Sequence, residues 1–157
     1  MPYFRILLLL LFTFPLSAKE HRLLISQAAS WLSEESRDET SLQGALTGLE
    51  YHFRWHQDWS LVTGYQFGQL DGSSVKELPV MVERKIALPR RHSLYLQGGN
   101  QWFWQKGEKG LALAFAGGWQ WKGRKGVLTR LGYQHSQRQT EEERSDSRLN
   151  LAVGWAF

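Results

Sequence analysis

The last nine residues, Leu149–Phe157, read LNLAVGWAF, and their alternation decides how the rest of the chain is read. Leu149, Leu151, Val153, Trp155 and Phe157 fall on one face of an extended strand, while Asn150, Ala152, Gly154 and Ala156 fall on the other. Successive side chains of a strand point to opposite sides, so this segment has one large apolar face and one small face. The same period recurs upstream. In WSLVTGYQFGQ, Trp59, Leu61, Thr63, Tyr65 and Phe67 oppose Ser60, Val62, Gly64, Gln66 and Gly68. In GVLTRLGYQHSQ, Val127, Leu131 and Tyr133 oppose Arg130, Gly132, Gln134 and Ser136.

Such runs fall near residues 22–33, 41–55, 59–70, 76–88, 93–104, 111–121, 126–137 and 147–157, which predicts eight strands. The fourth and fifth are the least regular, disturbed by Pro79 and Arg84 and by Gly98, Gly99 and Asn100. The linkers alternate. EESRDET, DGSS, QKGEKG and RQTEEERSD are polar and often acidic, whereas HQD, PRRH and KGRKG are short and mostly basic. Alternating long and short connections predict an all-β fold, an eight-stranded antiparallel up-and-down transmembrane β-barrel with long loops outward and short turns in the periplasm.

A soluble, lipocalin-like periplasmic binding barrel also has alternating strands, but its large apolar residues point inward. The smaller face here carries Gly44, Gly48, Glu50, Gly64, Gln66, Gly118, Gln120 and Arg130. Those residues suit a narrow hydrated interior, and a wall bathed in water would carry more Lys and Glu along its strands. Trp55, Trp59, Trp119, Trp121 and Trp155 cluster at the short-turn ends, and Trp31, Trp102 and Trp104 at the long-loop ends. Indoles collect at both membrane–water interfaces, whereas core tryptophans have no reason to sort by strand end.

Ahead of the strands, residues 1–18 read MPYFRILLLLLFTFPLSA. One arginine, an apolar run, Pro15 and the small-residue end at Leu16-Ser17-Ala18 form the pattern of a cleaved secretory signal peptide, too short to span a bilayer as a helix. The domain assignment is therefore a signal peptide over 1–18 and the barrel over 19–157. With no cysteine in the chain, stability has to come from packing, hydrogen bonds or the membrane. A net charge of +4, with no basic block interleaved with aromatics, argues against nucleic acid as a partner.

The terminal strand, with aromatic Trp155 and Phe157 closing the chain, resembles the C-terminal signature of bacterial outer-membrane proteins that the barrel-assembly machinery recognises. In length, strand number and loop alternation the 19–157 segment resembles the OmpA- and OmpX-type barrels. That resemblance implies a monomer in the bacterial outer membrane, in contact with membrane lipid and lipopolysaccharide, with Trp155 and Phe157 as its assembly signal. It also implies an internal charge network and no open pore, because the interior of eight strands can be filled by side chains. The expected role is structural, surface-contact or envelope-interaction. A lipid-modifying enzyme acting on outer-leaflet lipid A is the alternative from another class.

Two constellations bear on chemistry. Counting about 3.3 Å per residue from the strand ends puts Glu50, Glu83 and Arg130 at similar heights in the lumen, with Lys85, His52 and Arg54 lower down. Buried charges must be paired, so Glu50, Glu83, Lys85 and Arg130 are expected to form a structural ion network. His135 and Ser136 call to mind the barrel deacylases of lipid A. Their motif spaces His and Ser two apart, whereas adjacent residues in a strand face opposite ways. No spacing fits a metal site or a nucleotide loop, so no catalytic residue, metal or cofactor is expected. The acidic residues Glu34, Glu35, Asp38, Glu39 and Glu141–Glu143 are expected to form a solvated loop face, with divalent-cation binding as the alternative.

Overall fold

In the computed structural model, β1 (Glu20–Ser33), β2 (Leu42–Arg54), β3 (Trp59–Leu70), β4 (Ser73–Ala87), β5 (His92–Gln105), β6 (Glu108–Lys122), β7 (Val127–Arg138) and β8 (Arg144–Ala156) each pair antiparallel with the next. The structure describes residues 20–33, 42–139 and 144–157. The segment read as a signal peptide, and the acidic residues Glu34, Glu35, Asp38, Glu39 and Glu141–Glu143, lie outside the described residues.

The sheet closes on itself through β1 and β8, in a ladder running from Arg22 opposite Ala156 to Ser33 opposite Ser145. Beyond it, His21 and Phe157 exchange both backbone N–H···O bonds at 2.9 Å. The two rings stack at 5.9 Å, and His21 Nδ1 lies 2.5 Å from the Tyr51 hydroxyl. The terminal residue thus extends the seam by one more pair.

β4 runs unbroken through Pro79, although its sequence reads as irregular. The proline does leave a mark. Its ring removes a ladder donor, and pairing of β4 with β3 lapses between Thr63–Val80 and Gln66–Glu77. The same register resumes beyond the gap, and β4 pairs with β5 straight through Pro79 opposite Gln101.

The expected alternation of loop length does not hold for the described connections. Asp71-Gly72 and Lys106-Gly107 turn β3 into β4 and β5 into β6 in two residues, all four with positive φ. That left-handed pair matches the twist of the flanking strands and permits the tightest hairpins. Ser73, Ser74, Gln105, Glu108 and Lys109, assigned to loops by their polarity, therefore extend the strands instead. At the opposite end, which also holds both strand termini of the seam, the connections span 55–58, 88–91 and 123–126. These two rims are called the hairpin end and the turn end below.

Outside and inside are inverted relative to a soluble barrel. Leu23, Ile25, Tyr65, Phe67, Leu96, Phe115, Leu151 and Val153 project outward and are exposed, whereas Arg22, Glu77, Glu83, Gln101, Arg130 and Arg148 are buried in the lumen. A surface this apolar is stable against hydrocarbon and not against water, so the barrel is transmembrane and the lipocalin-like alternative falls. The exposed indoles of Trp102 and Trp104 ring the hairpin end, and those of Trp119, Trp121 and Trp155 the turn end.

Eight strands leave little room inside, and glycine supplies some of it. A Cβ on Gly118 would lie 2.2 Å from the Leu131 carbonyl oxygen and 2.5 Å from the Gly132 Cα, both backbone atoms. Gly98, facing outward, would bring its Cβ no nearer than 3.4 Å, against the Phe115 ring. Gly118→Ala should therefore destabilise the barrel by about 1–3 kcal/mol, and Gly98→Ala should stay within about 0.5 kcal/mol of wild type. Urea unfolding of both variants from detergent micelles checks the contrast, and equal midpoints would contradict the close approach.

Candidate functional site

Alternation fixes which side chains enter the lumen, and the strand stagger decides which of them meet. Toward the turn end, β4 presents Glu83, β7 presents Arg130, β2 presents Glu50 and His52, and β1 presents Arg22. Arg130 Nη2 donates to Glu83 Oε2 at 2.6 Å, while its Nη1 lies 3.9 Å from Glu50 Oε2. Arg22 reaches the other oxygen of Glu83 at 3.1 Å and donates to Glu20 at 2.7 Å. His52 Nε2 sits 3.2 Å from Glu50 and 3.0 Å from Arg130 Nη1, and Gln97 donates to Glu83 at 2.9 Å. The Arg130 guanidinium also lies over the Tyr95 ring at 3.7 Å. Every carboxylate in this group is held by at least one cation or imidazole, as burial in a low-dielectric interior demands.

Of the four lumenal charges read from the sequence, the structure brings Glu50, Glu83 and Arg130 together. Lys85 stands on β4 one inward position nearer the turn end, and forms no ion pair among the described residues. The remaining two residues, Trp155 and Phe157, both face outward at the turn end, the latter 73% exposed.

A second cluster, not singled out from the sequence, lies toward the hairpin end. Arg148 on β8 grips Glu77 on β4 through both terminal nitrogens, one contact at 2.7 Å. Its Nε donates to Asp146 at 2.9 Å, and Asp146 also accepts from Ser30 at 2.6 Å. Arg138 approaches Glu77 at 3.9 Å and stacks over Phe103 at 4.5 Å. The signal for this cluster was present in the phase of the strands. Arg148 shares a face with Asn150, Ala152 and Gly154, and Glu77 with Glu83. Starting β8 at 147 left Asp146 in a loop and hid the triad.

Between the clusters lies a neutral layer, in which Gln134 donates to Gln101 at 2.8 Å and Asn150 to Gln134 at 3.4 Å. A cavity of about 20 Å³ remains there, between Gln66, Met81 and Asn150, room for about one water.

His135 and Ser136 point to opposite sides as adjacent strand residues must, the serine buried and the histidine exposed. His135 Nδ1 meets Ser147 Oγ instead, at 3.1 Å, and that oxygen already receives a 2.7 Å hydrogen bond from the Tyr133 hydroxyl. Among the hydrogen bonds of the described residues, no carboxylate meets this imidazole. Among the described residues no set of three His, Asp or Glu side chains could hold a metal ion.

The two clusters differ in redundancy. Without Arg130, Glu83 would still hold Arg22 and Gln97, and Glu50 would still hold His52. Without Arg148, Asp146 would retain among the described residues only a hydroxyl, and Glu77 only the distant Arg138. Arg148→Met should therefore cost about 3–5 kcal/mol, the toll of an orphaned buried charge, and Arg130→Met distinctly less. Glu77→Gln added to Arg148→Met should recover part of the loss. Urea titration of refolded barrels orders the variants, and an Arg130 variant weaker than the Arg148 variant would contradict the redundancy.

No family model matches the chain and no curated protein matches it in sequence. Solved structures do resemble it. Neisserial surface protein A superposes with a TM-score of 0.73 at 12% identity, over 87% of this chain and 97% of that one. The N-terminal β-barrel domain of Pseudomonas aeruginosa OprF gives 0.65 at 12% identity, over 87% and 97%. Ail, the attachment invasion locus protein of Yersinia pestis, gives 0.63 at 17% identity, over 88% and 98%. This chain has the fold of the small eight-stranded outer-membrane barrels.

Proposed function

We propose that the protein is a closed, non-enzymatic barrel of the bacterial outer membrane, exported by its cleaved leader, that serves envelope structure and surface contact through its rims. The observation that carries this reading is the lumen. Two levels of ion pairs span it, with a glutamine and asparagine layer between them. An ion or solute crossing the barrel would have to break paired buried charges, each costly to separate. What remains free to act is the outer wall and the two ends. Two of the similar structures are an attachment protein and a surface protein, in keeping with work done at the rims.

Planar-bilayer recording of the purified barrel tests closure: the expected result is no unitary conductance, and reproducible open steps would overturn the reading. Mass spectrometry of lipid A from cells with and without the protein tests the enzymatic alternative. An unchanged spectrum is expected, and loss or gain of an acyl chain would reverse the ranking.

Phe157 is proposed as the assembly signal together with Trp155, since its backbone closes the seam while its ring stays exposed to lipid and to the assembly machinery. Deleting Phe157 should leave export intact and reduce the heat-modifiable, folded fraction in the outer membrane. Wild-type amounts of folded barrel from the shortened chain would refute this.

A further inference from the structure

The turn end carries a charge imbalance that the barrel itself does not resolve. Among the described residues of the hairpin-end cluster, two cations, Arg138 and Arg148, stand beside two carboxylates, Glu77 and Asp146. In the turn-end lumen five cations, Arg22, Arg54, Lys85, Lys122 and Arg130, face three carboxylates, Glu20, Glu50 and Glu83. Arg22 Nη2 is buried there without a hydrogen-bond partner. Immediately outside, the β4–β5 and β6–β7 turns enclose a groove of about 540 Å³. Lys85, Arg91, Lys122, Arg124 and Lys125 line it, and no carboxylate does.

Two of those cations occupy backbone positions that resist side chains. Arg91 has φ 68° and Lys125 φ 58°, in the left-handed region where a glycine or asparagine would sit with less strain. The turns are thus strained where they present positive charge. The height of the groove identifies the ligand. Trp119 and Trp121 stand on the strand that ends in Lys122, and Trp119 hydrogen-bonds and stacks on His92 at the groove's edge. Indoles of this kind mark the membrane–water interface, the level at which lipid headgroups lie. Leu88, exposed on the same groove, offers apolar surface beside the charges.

We propose that this groove binds the phosphate of an anionic phospholipid in the leaflet at the turn end, with Arg91, Arg124 and Lys125 on the headgroup and Lys85 behind them. The inference rests on the transmembrane-barrel reading and deepens it by naming a partner for one rim. Basic side chains at a bilayer surface each add to the attraction for anionic lipid, and the gain is screened by salt.

Native mass spectrometry of the refolded barrel, offered phosphatidylglycerol and phosphatidylcholine in equal amounts, reads the preference directly. Wild type should retain phosphatidylglycerol about tenfold over phosphatidylcholine. An Arg91→Gln, Arg124→Gln, Lys125→Gln triple variant should lose that preference while remaining heat-modifiable. Should the variant fail to fold, the wild type alone decides, because its preference should fall steeply between low and high salt. Inorganic phosphate in excess should not displace the lipid. Equal retention of both lipids, a preference unmoved by salt or by the triple variant, or displacement by inorganic phosphate would each overturn the proposal. A wild type that shows no heat-modifiable form would refute the barrel reading instead.

Discussion

Hydrocarbon offers no partner for a backbone N–H or C=O, and this forces the sheet to close. The β1–β8 ladder, extended by the mutual bonds of His21 and Phe157, is where closure happens. The other features of the fold follow from that seam. Closure with eight strands sets a narrow lumen, so glycine and alanine line much of β6 and β8 and leave room for the larger side chains of the other strands. The lipid side imposes the opposite requirement, and the same strands carry Leu, Phe, Trp and Val outward. One alternating pattern satisfies both demands, which is why the period of two is so clear in β3, β7 and β8.

Filling a narrow polar lumen brings its own constraint. Isolated buried charges cost several kcal/mol each, so they persist only in sets that satisfy one another. Strands β4 and β8 meet across the barrel through Arg148, and β1, β2, β4 and β7 through Glu83 and its partners. These contacts join strands far apart in sequence and non-adjacent in the sheet, ties that the hydrogen-bond ladders alone do not provide. Tyr95 serves the same end by another route. Its ring lies against Gly132 and Gly118, which have no side chains to obstruct it, and supports the Arg130 guanidinium from one side.

Strand number, order and facing were legible because each depends on local periodicity, and β3 matches the sequence reading residue for residue. Boundaries were less so. Ser73, Ser74, Glu108 and Lys109 are polar, and polarity was read as loop. A strand that continues beyond the apolar belt is polar on both faces, so composition cannot mark its end. The Asp-Gly and Lys-Gly pairs were the better guide, since a two-residue hairpin leaves the flanking residues no alternative to pairing. The lumenal contacts were legible only in part. Counting heights brings Glu83 and Arg130 together, whereas Arg22 lies so near the strand start that height alone does not place it among them. Asp146 was lost with the misplaced start of β8. Which side chains meet across the lumen is set by the stagger between strands, a property of closure that no single strand reveals.

Among the described residues, the two ends of the lumen differ in charge. At the hairpin end β3–β4 and β5–β6 turn in two residues, and an exposed Lys106–Asp71 pair at 3.6 Å links their neighbouring tips. Inside, Arg148 is met by both Glu77 and Asp146. At the turn end two of the four-residue connections enclose a groove, and lysine and arginine hold positions that strain the backbone. A surplus of like charge destabilises a compact site unless solvent or a counter-charge offsets it. Lys122 partly meets this by reaching Glu20, which already serves Arg22 and Arg54. One carboxylate shared among three cations leaves positive potential directed out of the barrel mouth, at the depth where the tryptophans place the bilayer surface.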